Sequence, residues 1–166
     1  MLTGRTFIAT AGFLAFCASA YHLIMRGQSK PKHCVFCHPL ELSRIVYQDP
    51  DLLVFHDIKP DAALHLLVIP REHLGTIKEL SPDHLPVIRR MHMLGQRLME
   101  EKGFTGDNAR FGFHRPPFNS VHHLHMHCLG LPFKPKRAER MFPKDGSAWF
   151  MPAERLIENM AAESLV

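Results

Sequence analysis

Short hydrophobic runs with strand character open the globular part of the chain. Ile45-Val46-Tyr47 and Leu52-Leu53-Val54-Phe55 flank Gln48-Asp49-Pro50-Asp51, a turn sequence, and so predict a β-hairpin. After a second turn at Asp57-Ile58-Lys59-Pro60, His65 to Ile69 reads as a strand stopped by Pro70. The period then changes. Leu85, Ile88, Met91, Leu94 and Leu98 recur at helical spacing, behind a start signal in Ser81-Pro82-Asp83 and ahead of Gly103 as the stop. Arg110 to Phe113 predicts a further strand. A proline-rich loop separates it from a strand over His122 to Leu129, and Pro152 opens a terminal helix carrying Leu156, Ile157 and Met160. The sum is an α+β plan: an antiparallel sheet of about five strands, with a long helix packed on one face and a C-terminal helix.

Upstream, residues 7–25 carry no formal charge. As a helix they reach ~28 Å, close to the ~30 Å of a bilayer core. Arg5 precedes them, and Arg26, Lys30 and Lys32 follow. A membrane anchor, a signal peptide cleaved after Ala18-Ser19-Ala20 and a mitochondrial targeting segment all fit. The polar stretch from Gly27 to Lys32 reads as a linker, which divides the chain into an N-terminal segment (1–32) and a domain (33–166).

Hydrophobic residues at 46% and charged residues at 22% suit a domain with its own core. A net charge of +4 is compatible with phosphate-bearing small molecules and with nucleic acids, so it does not choose between them. Four cysteines, Cys17, Cys34, Cys37 and Cys128, are too few for a disulfide-stapled scaffold. Cys34 and Cys37 form a C-x-x-C, open to three readings: buried small residues, a redox pair or half of a zinc site.

Thirteen histidines are unusual, and their clustering matters more than their number. On a strand, His123, His125, His127 and Leu129 share one face, and His122, Leu124, Met126 and Cys128 share the other. The second face suits a core. The first presents three imidazoles in a row, a poor way to build a surface because they repel one another once protonated below pH ~6.5. Two chemistries use such a row: metal binding, or attack on phosphorus by one neutral imidazole while its neighbours neutralise phosphate oxygens. Ser120, Gly112, His114 and the Arg115-Pro116-Pro117 loop add donors nearby.

His123-Leu124-His125-Met126-His127-Cys128-Leu129 resembles the signature of the histidine-triad superfamily, His-φ-His-φ-His-φ-φ, at every position. Phe55 to Pro60 and His65 to His73 are similar to the F-x-D-I-x-P and H-x-L-V-I-P-K-x-H blocks of its Hint branch. Phe111 to Ser120, Trp149-Phe150 and Leu156-Ile157-Glu158 resemble the type-3 members, so the likeness spans residues 34–160.

The resemblance implies a hydrolase of adenosine phosphoramidates and acyl-adenylates. His125 would attack the α-phosphorus, and water would then release AMP from the nucleotidyl-histidine. His127 and His65 would contact the phosphate, and Ser120 the leaving group or a phosphate oxygen. Asp57 would hold the ribose hydroxyls, with Phe55 and Ile58 in the nucleotide site. His123 or a neighbouring-strand carbonyl would set the tautomer of His125. Histidine rather than glutamine at 127 points to hydrolysis rather than nucleotidyl transfer.

It also implies a homodimer, no organic cofactor, and a structural zinc on Cys34, Cys37, His73 and His123, a donor set that suits a reducing compartment and hence a cytoplasmic domain. One departure stands out: Gly112, with His114 close by, occupies the place of an asparagine in the best-known Hint proteins. Rival readings are an aprataxin-like DNA-adenylate hydrolase and a non-catalytic nucleotide-binding scaffold. The first needs nucleic-acid contacts, but Lys134, Lys136, Arg137 and Arg140 read as a solvated loop, and nucleic acid is not an expected partner.

Overall fold

A computed structural model describes residues 33–38 and 41–164. The apolar segment 7–25 lies outside them; among the described residues no helix is long and apolar enough to cross a membrane.

The predicted hairpin forms as β1 (Ile45–Gln48) and β2 (Leu52–His56), with Gln48 opposite Leu53. Its turn is set by Asp49, whose carboxylate accepts the backbone N–H groups of Asp51 and Leu52 at 2.8 and 2.7 Å. β3 (Ala62–Pro70) starts three residues earlier than the apolar pattern suggested, because its first residues pair with the far end of β5. β4 (Ala109–His114) matches expectation within one residue at each end.

The strand of the histidine row differs. β5 runs from Met126 to Phe133, so His123 and His125 lie in the segment leading into it rather than within the ladder. That segment is held by Leu124, whose N–H donates to the carbonyl of Leu74 at 2.7 Å. A sixth strand, β6 (Phe150–Pro152), completes the antiparallel order β1-β2-β3-β5-β4-β6.

Ser81 opens a short 3-10 turn, Pro82–His84, that leads into α1 (Leu85–Glu100). The backbone N–H of Ser81 donates to His84 Nδ1 at 2.9 Å. Gly103 ends the helix with φ +82°, which lets the N–H of Phe104 turn back to the carbonyl of Met99. The predicted helical face is buried as a unit: Leu85, Ile88, Met91, Leu94 and Leu98 pack on Leu66, Val68, Met126 and Cys128. Each such side chain contributes on the order of 2 kcal/mol by leaving water. Gly95 sets the approach, since a Cβ there would stand 2.8 Å from Cys128 Sγ. α3 (Ala153–Glu163) packs beside α1, with His92 Nε2 3.0 Å from Glu154 Oε1.

The opposite face of the sheet is covered differently. A short helix, α2 (Ala138–Met141), arises within the basic stretch that reads as loop, and it brings Ala138 and Phe142 onto Ala62, Leu129 and Phe150. A second small cluster unites Leu53, Phe55, Leu67 and Ile69 with Phe36. The histidines lie on this face.

Candidate active site

Strand alternation turns Met126 and Cys128 toward α1 and leaves His127 and Leu129 on the other face, as the spacing predicts. His127 sits in register between Leu67 of β3 and Gly112 of β4, and His65 lies opposite Leu129. The imidazoles do not form a surface. His123, His125 and His127 are 0%, 6% and 7% exposed, and His65 is 3% exposed. Burial makes each hydrogen bond decisive, because a buried ring nitrogen without the right partner is costly.

Those partners determine the proton positions. The backbone N–H of Asp61 donates to His65 Nδ1 at 3.2 Å, so neutral His65 carries its proton on Nε2. That Nε2–H lies 2.9 Å from His127 Nδ1, which must accept it. His127 therefore holds its own proton on Nε2, an atom fully buried and without a hydrogen-bond partner among the described residues. His125 is fixed in the opposite sense. Its Nδ1–H donates to the carbonyl of His123 at 2.7 Å, leaving a lone pair on Nε2. The tautomer-setting carbonyl thus comes from two residues back along the same segment, rather than from the His123 ring or another strand. One imidazole offers a nucleophilic lone pair and its neighbour a donor, with ring centres 5.1 Å apart.

Electrostatics keep both neutral. Burial pushes the His125 and His65 imidazoles below the ordinary histidine range, opposed in part by Asp57. His127 is driven further down, by burial first and then by the facing rings of His125, His65 and His114.

His123 leaves the row. Its Nδ1 lies 3.3 Å from Cys34 Sγ and 3.4 Å from Cys37 Sγ, and Cys37 Sγ lies 3.4 Å from His73 Nδ1. The ligand atoms of Cys34, Cys37, His73 and His123 all fall within 4.8 Å of one another. Sulfur and nitrogen on a tetrahedral zinc stand ~3.6 Å apart, given bonds of about 2.3 and 2.0 Å. His123 Nε2 donates to the carbonyl of Pro70 at 2.9 Å, which leaves Nδ1 unprotonated and turned toward the sulfurs. The donor set and the tautomer fit a zinc ion.

A second crowd of ligand atoms, on Asp57, His65 and His127, is of another kind. The Asp61 N–H on His65 Nδ1 puts a proton on His65 Nε2, so its lone pair is not offered to a metal.

The remaining predicted residues are placed unevenly. Asp57 Oδ2 stands 3.7 Å from His65 Nε2, while Oδ1 accepts the N–H of Lys59 at 2.7 Å. Ser120 lies exposed in the loop before the histidines, and Ile58 is exposed in the turn between β2 and β3. Phe55 departs from expectation: its ring is fully buried, packed between Phe36 and the Arg44 guanidinium, so it backs the site rather than lining it. Phe36, packed on Phe55, is the aromatic ring that meets His123 and His125, in T-shaped contact with both. Phe36 lies inside the C-x-x-C, and the metal reading of that motif hid the aromatic role.

Phe142 is a second unpredicted wall, in ring contact with His65, His114 and His127. Gly112 explains the missing asparagine. A Cβ there would lie 2.5 Å from both the Met151 carbonyl oxygen and the Phe150 ring, so β6 already fills the space of a side chain.

A fold with a buried three-histidine segment beside an antiparallel sheet defines a class, and comparison with known proteins gives the same one. A family model described as "Scavenger mRNA decapping enzyme C-term binding" matches residues 33–142. Adenosine 5'-monophosphoramidase HINT3 of Xenopus tropicalis is 33% identical over 150 residues, covering 87% of this chain and 98% of the relative. Bifunctional adenosine 5'-phosphosulfate phosphorylase/adenylylsulfatase HINT4 of Arabidopsis thaliana is 38% identical over 136 residues, covering 76% and 90%. A solved histidine triad protein from Clostridium difficile superposes with a TM-score of 0.57 at 26% identity, covering 65% of this chain and 98% of that one. The chain belongs to this family of histidine-triad proteins, on its Hint branch.

Proposed function

We propose that the protein is an adenosine 5'-monophosphoramidase, a hydrolase that cleaves the P–N bond of AMP conjugates or the mixed anhydride of acyl-adenylates. The observation that carries this reading is the opposed protonation of two adjacent buried imidazoles: a lone pair on His125 Nε2 and an N–H on His127 Nε2. The relatives named as phosphoramidases support it.

In the first step His125 Nε2 attacks the α-phosphorus. The P–N bond breaks, and the amine leaves with a proton taken from solvent at the mouth of the site. The new P–Nε2 bond leaves His125 cationic, its Nδ1–H still held by the His123 carbonyl. The His127 Nε2–H finds its missing partner in a phosphoryl oxygen and stabilises the charge that gathers there. His65 holds that tautomer in place. Asp57 binds the ribose, and Phe36 and Ile58 flank the base. In the second step water attacks phosphorus, the P–Nε2 bond breaks, and AMP departs.

Zinc on Cys34, Cys37, His73 and His123 supplies no chemistry to these steps. It would tie the segment before β1 to the His123 carbonyl that orients the nucleophile. Assembly as a homodimer, and an anchoring or targeting role for residues 7–25 with the catalytic domain in a reducing compartment, belong to the same reading.

The test is intact-mass analysis of enzyme quenched during turnover of adenosine 5'-phosphoramidate. An AMP adduct on His125 is expected in the native protein, with no adduct and no turnover in His125→Ala. Full activity of His125→Ala overturns the mechanism.

A further inference from the structure

A fourth imidazole borders the nucleophile, and the steps above leave it unused. His114 ends β4 on the same face as His127, and their ring centres stand 4.9 Å apart. It lines one small crevice together with His125, Asn119 and Thr76. Its ring neighbours are Phe142, Phe150 and His127, and the Asp61 carboxylate acts on it through charge, as a lesser influence than burial.

Its orientation is informative. His114 Nδ1 lies 3.3 Å from the Trp149 carbonyl oxygen. A carbonyl can only accept, so Nδ1 carries the proton and Nε2 holds a lone pair. Trp149 is itself pinned, its indole N–H donating to the Arg140 carbonyl at 3.0 Å. The tautomer of His114 is therefore imposed by the C-terminal segment. The neighbouring donor, His127 Nε2–H, is not spent on it, since that atom has no partner among the described residues.

We propose that His114 is the general base of the second half-reaction, accepting a proton from the water that attacks nucleotidyl-His125. The inference rests on the phosphoramidase reading. Atoms balance as follows. The water oxygen forms a bond to phosphorus and one water proton passes to His114 Nε2. The P–Nε2 bond to His125 breaks, its electron pair returning that ring to neutral. His114, now an imidazolium, releases its proton to solvent through the crevice. The buried His127 and the half-buried His114 thus take opposite parts: His127 donates to the phosphoryl group and His114 accepts from water. Burial supports the assignment by lowering the basicity of His114, so that it stands as the free base at neutral pH.

The experiment separates the two steps. An AMP phosphoramidate of p-nitroaniline has a good leaving group, so release of the amine reports the first step and release of AMP the second. Rapid-quench measurements on His114→Ala are expected to show amine release within about threefold of the native rate, AMP release slowed roughly 10²-fold, and an adduct accumulating on His125. Added imidazole should restore AMP release. His114→Asn keeps a donor to the Trp149 carbonyl but offers no base, and should behave alike, which guards against a folding defect in the alanine variant.

If both variants lose amine release and AMP release together, or if AMP release is unchanged, the proposal is overturned. Those outcomes differ from failure of the underlying reading, in which the native enzyme itself forms no adduct on His125.

Discussion

Replacing His65 by leucine tests whether a proton position, rather than simply a histidine, makes the site work. His65 Nε2–H is the group that obliges His127 Nδ1 to accept, at 2.9 Å. In His65→Leu the volume is roughly kept, but His127 Nδ1 is left buried with a lone pair and no donor. Its Nε2–H tautomer is no longer enforced. Leaving such an acceptor unsatisfied costs about 1–3 kcal/mol of stability. The larger effect is on rate. When His127 takes the Nδ1–H form, Nε2 turns a lone pair toward the phosphoryl oxygen, and a donor is lost where charge develops. Losing one such donor costs ~10²–10³ in kcat.

The assay is steady-state hydrolysis of adenosine 5'-phosphoramidate, with KM and kcat separated. We expect kcat to fall by about two orders of magnitude with a much smaller change in KM. His65→Gln, whose amide N–H can still donate, should recover part of the loss. A kcat for His65→Leu within threefold of native would refute the tautomer argument outright.

Three further outcomes are expected. Burial depresses the basicity of His65, His114, His125 and His127, so below pH ~6.5 the unfolded chain binds protons that the folded one refuses. Stability should be full above that pH and decline as pH falls through it, by up to about 1.4 kcal/mol per unit for each imidazole; urea midpoints flat between pH 7.5 and 5.5 would contradict this. The purified protein should carry about one equivalent of zinc, and a Cys34→Ser/Cys37→Ser double variant should lose the metal and melt at a lower temperature; full zinc occupancy in that variant would remove the site. Gly112→Asn should be destabilising by about 1–3 kcal/mol, because its Cβ meets the Met151 carbonyl and the Phe150 ring at 2.5 Å; calorimetry should show a Tm lower by roughly 3–10 °C, and an unchanged Tm would mean that β6 yields without strain.

The elements themselves were largely legible in the sequence. The hairpin, the long helix and its buried stripe, and the alternation that turns His127 one way and Met126 the other all follow from local periodicity, which constrains residues only a few positions apart. The strand ends were not, since β3 and β5 extend only as far as each finds the other. β6 and α2 were missed for a related reason: neither carries a periodic stripe, and each forms because a neighbour is present to receive it.

The same division holds at the site. Three histidines at alternating positions, a C-x-x-C and His73 were enough to name the chemical groups and their class of reaction. The chain alone could not settle what each imidazole does, because a histidine's role depends on which nitrogen holds the proton, and that is set by partners far away in sequence. His65 meets His127 across 62 positions, and Cys34 meets His123 across 89. Only packing brings the Asp61 N–H to His65, the Pro70 carbonyl to His123 and the Trp149 carbonyl to His114. Local pattern determined which residues could react; the burial of fixed donors and acceptors around them decided which ring nitrogens offer a lone pair and which a proton.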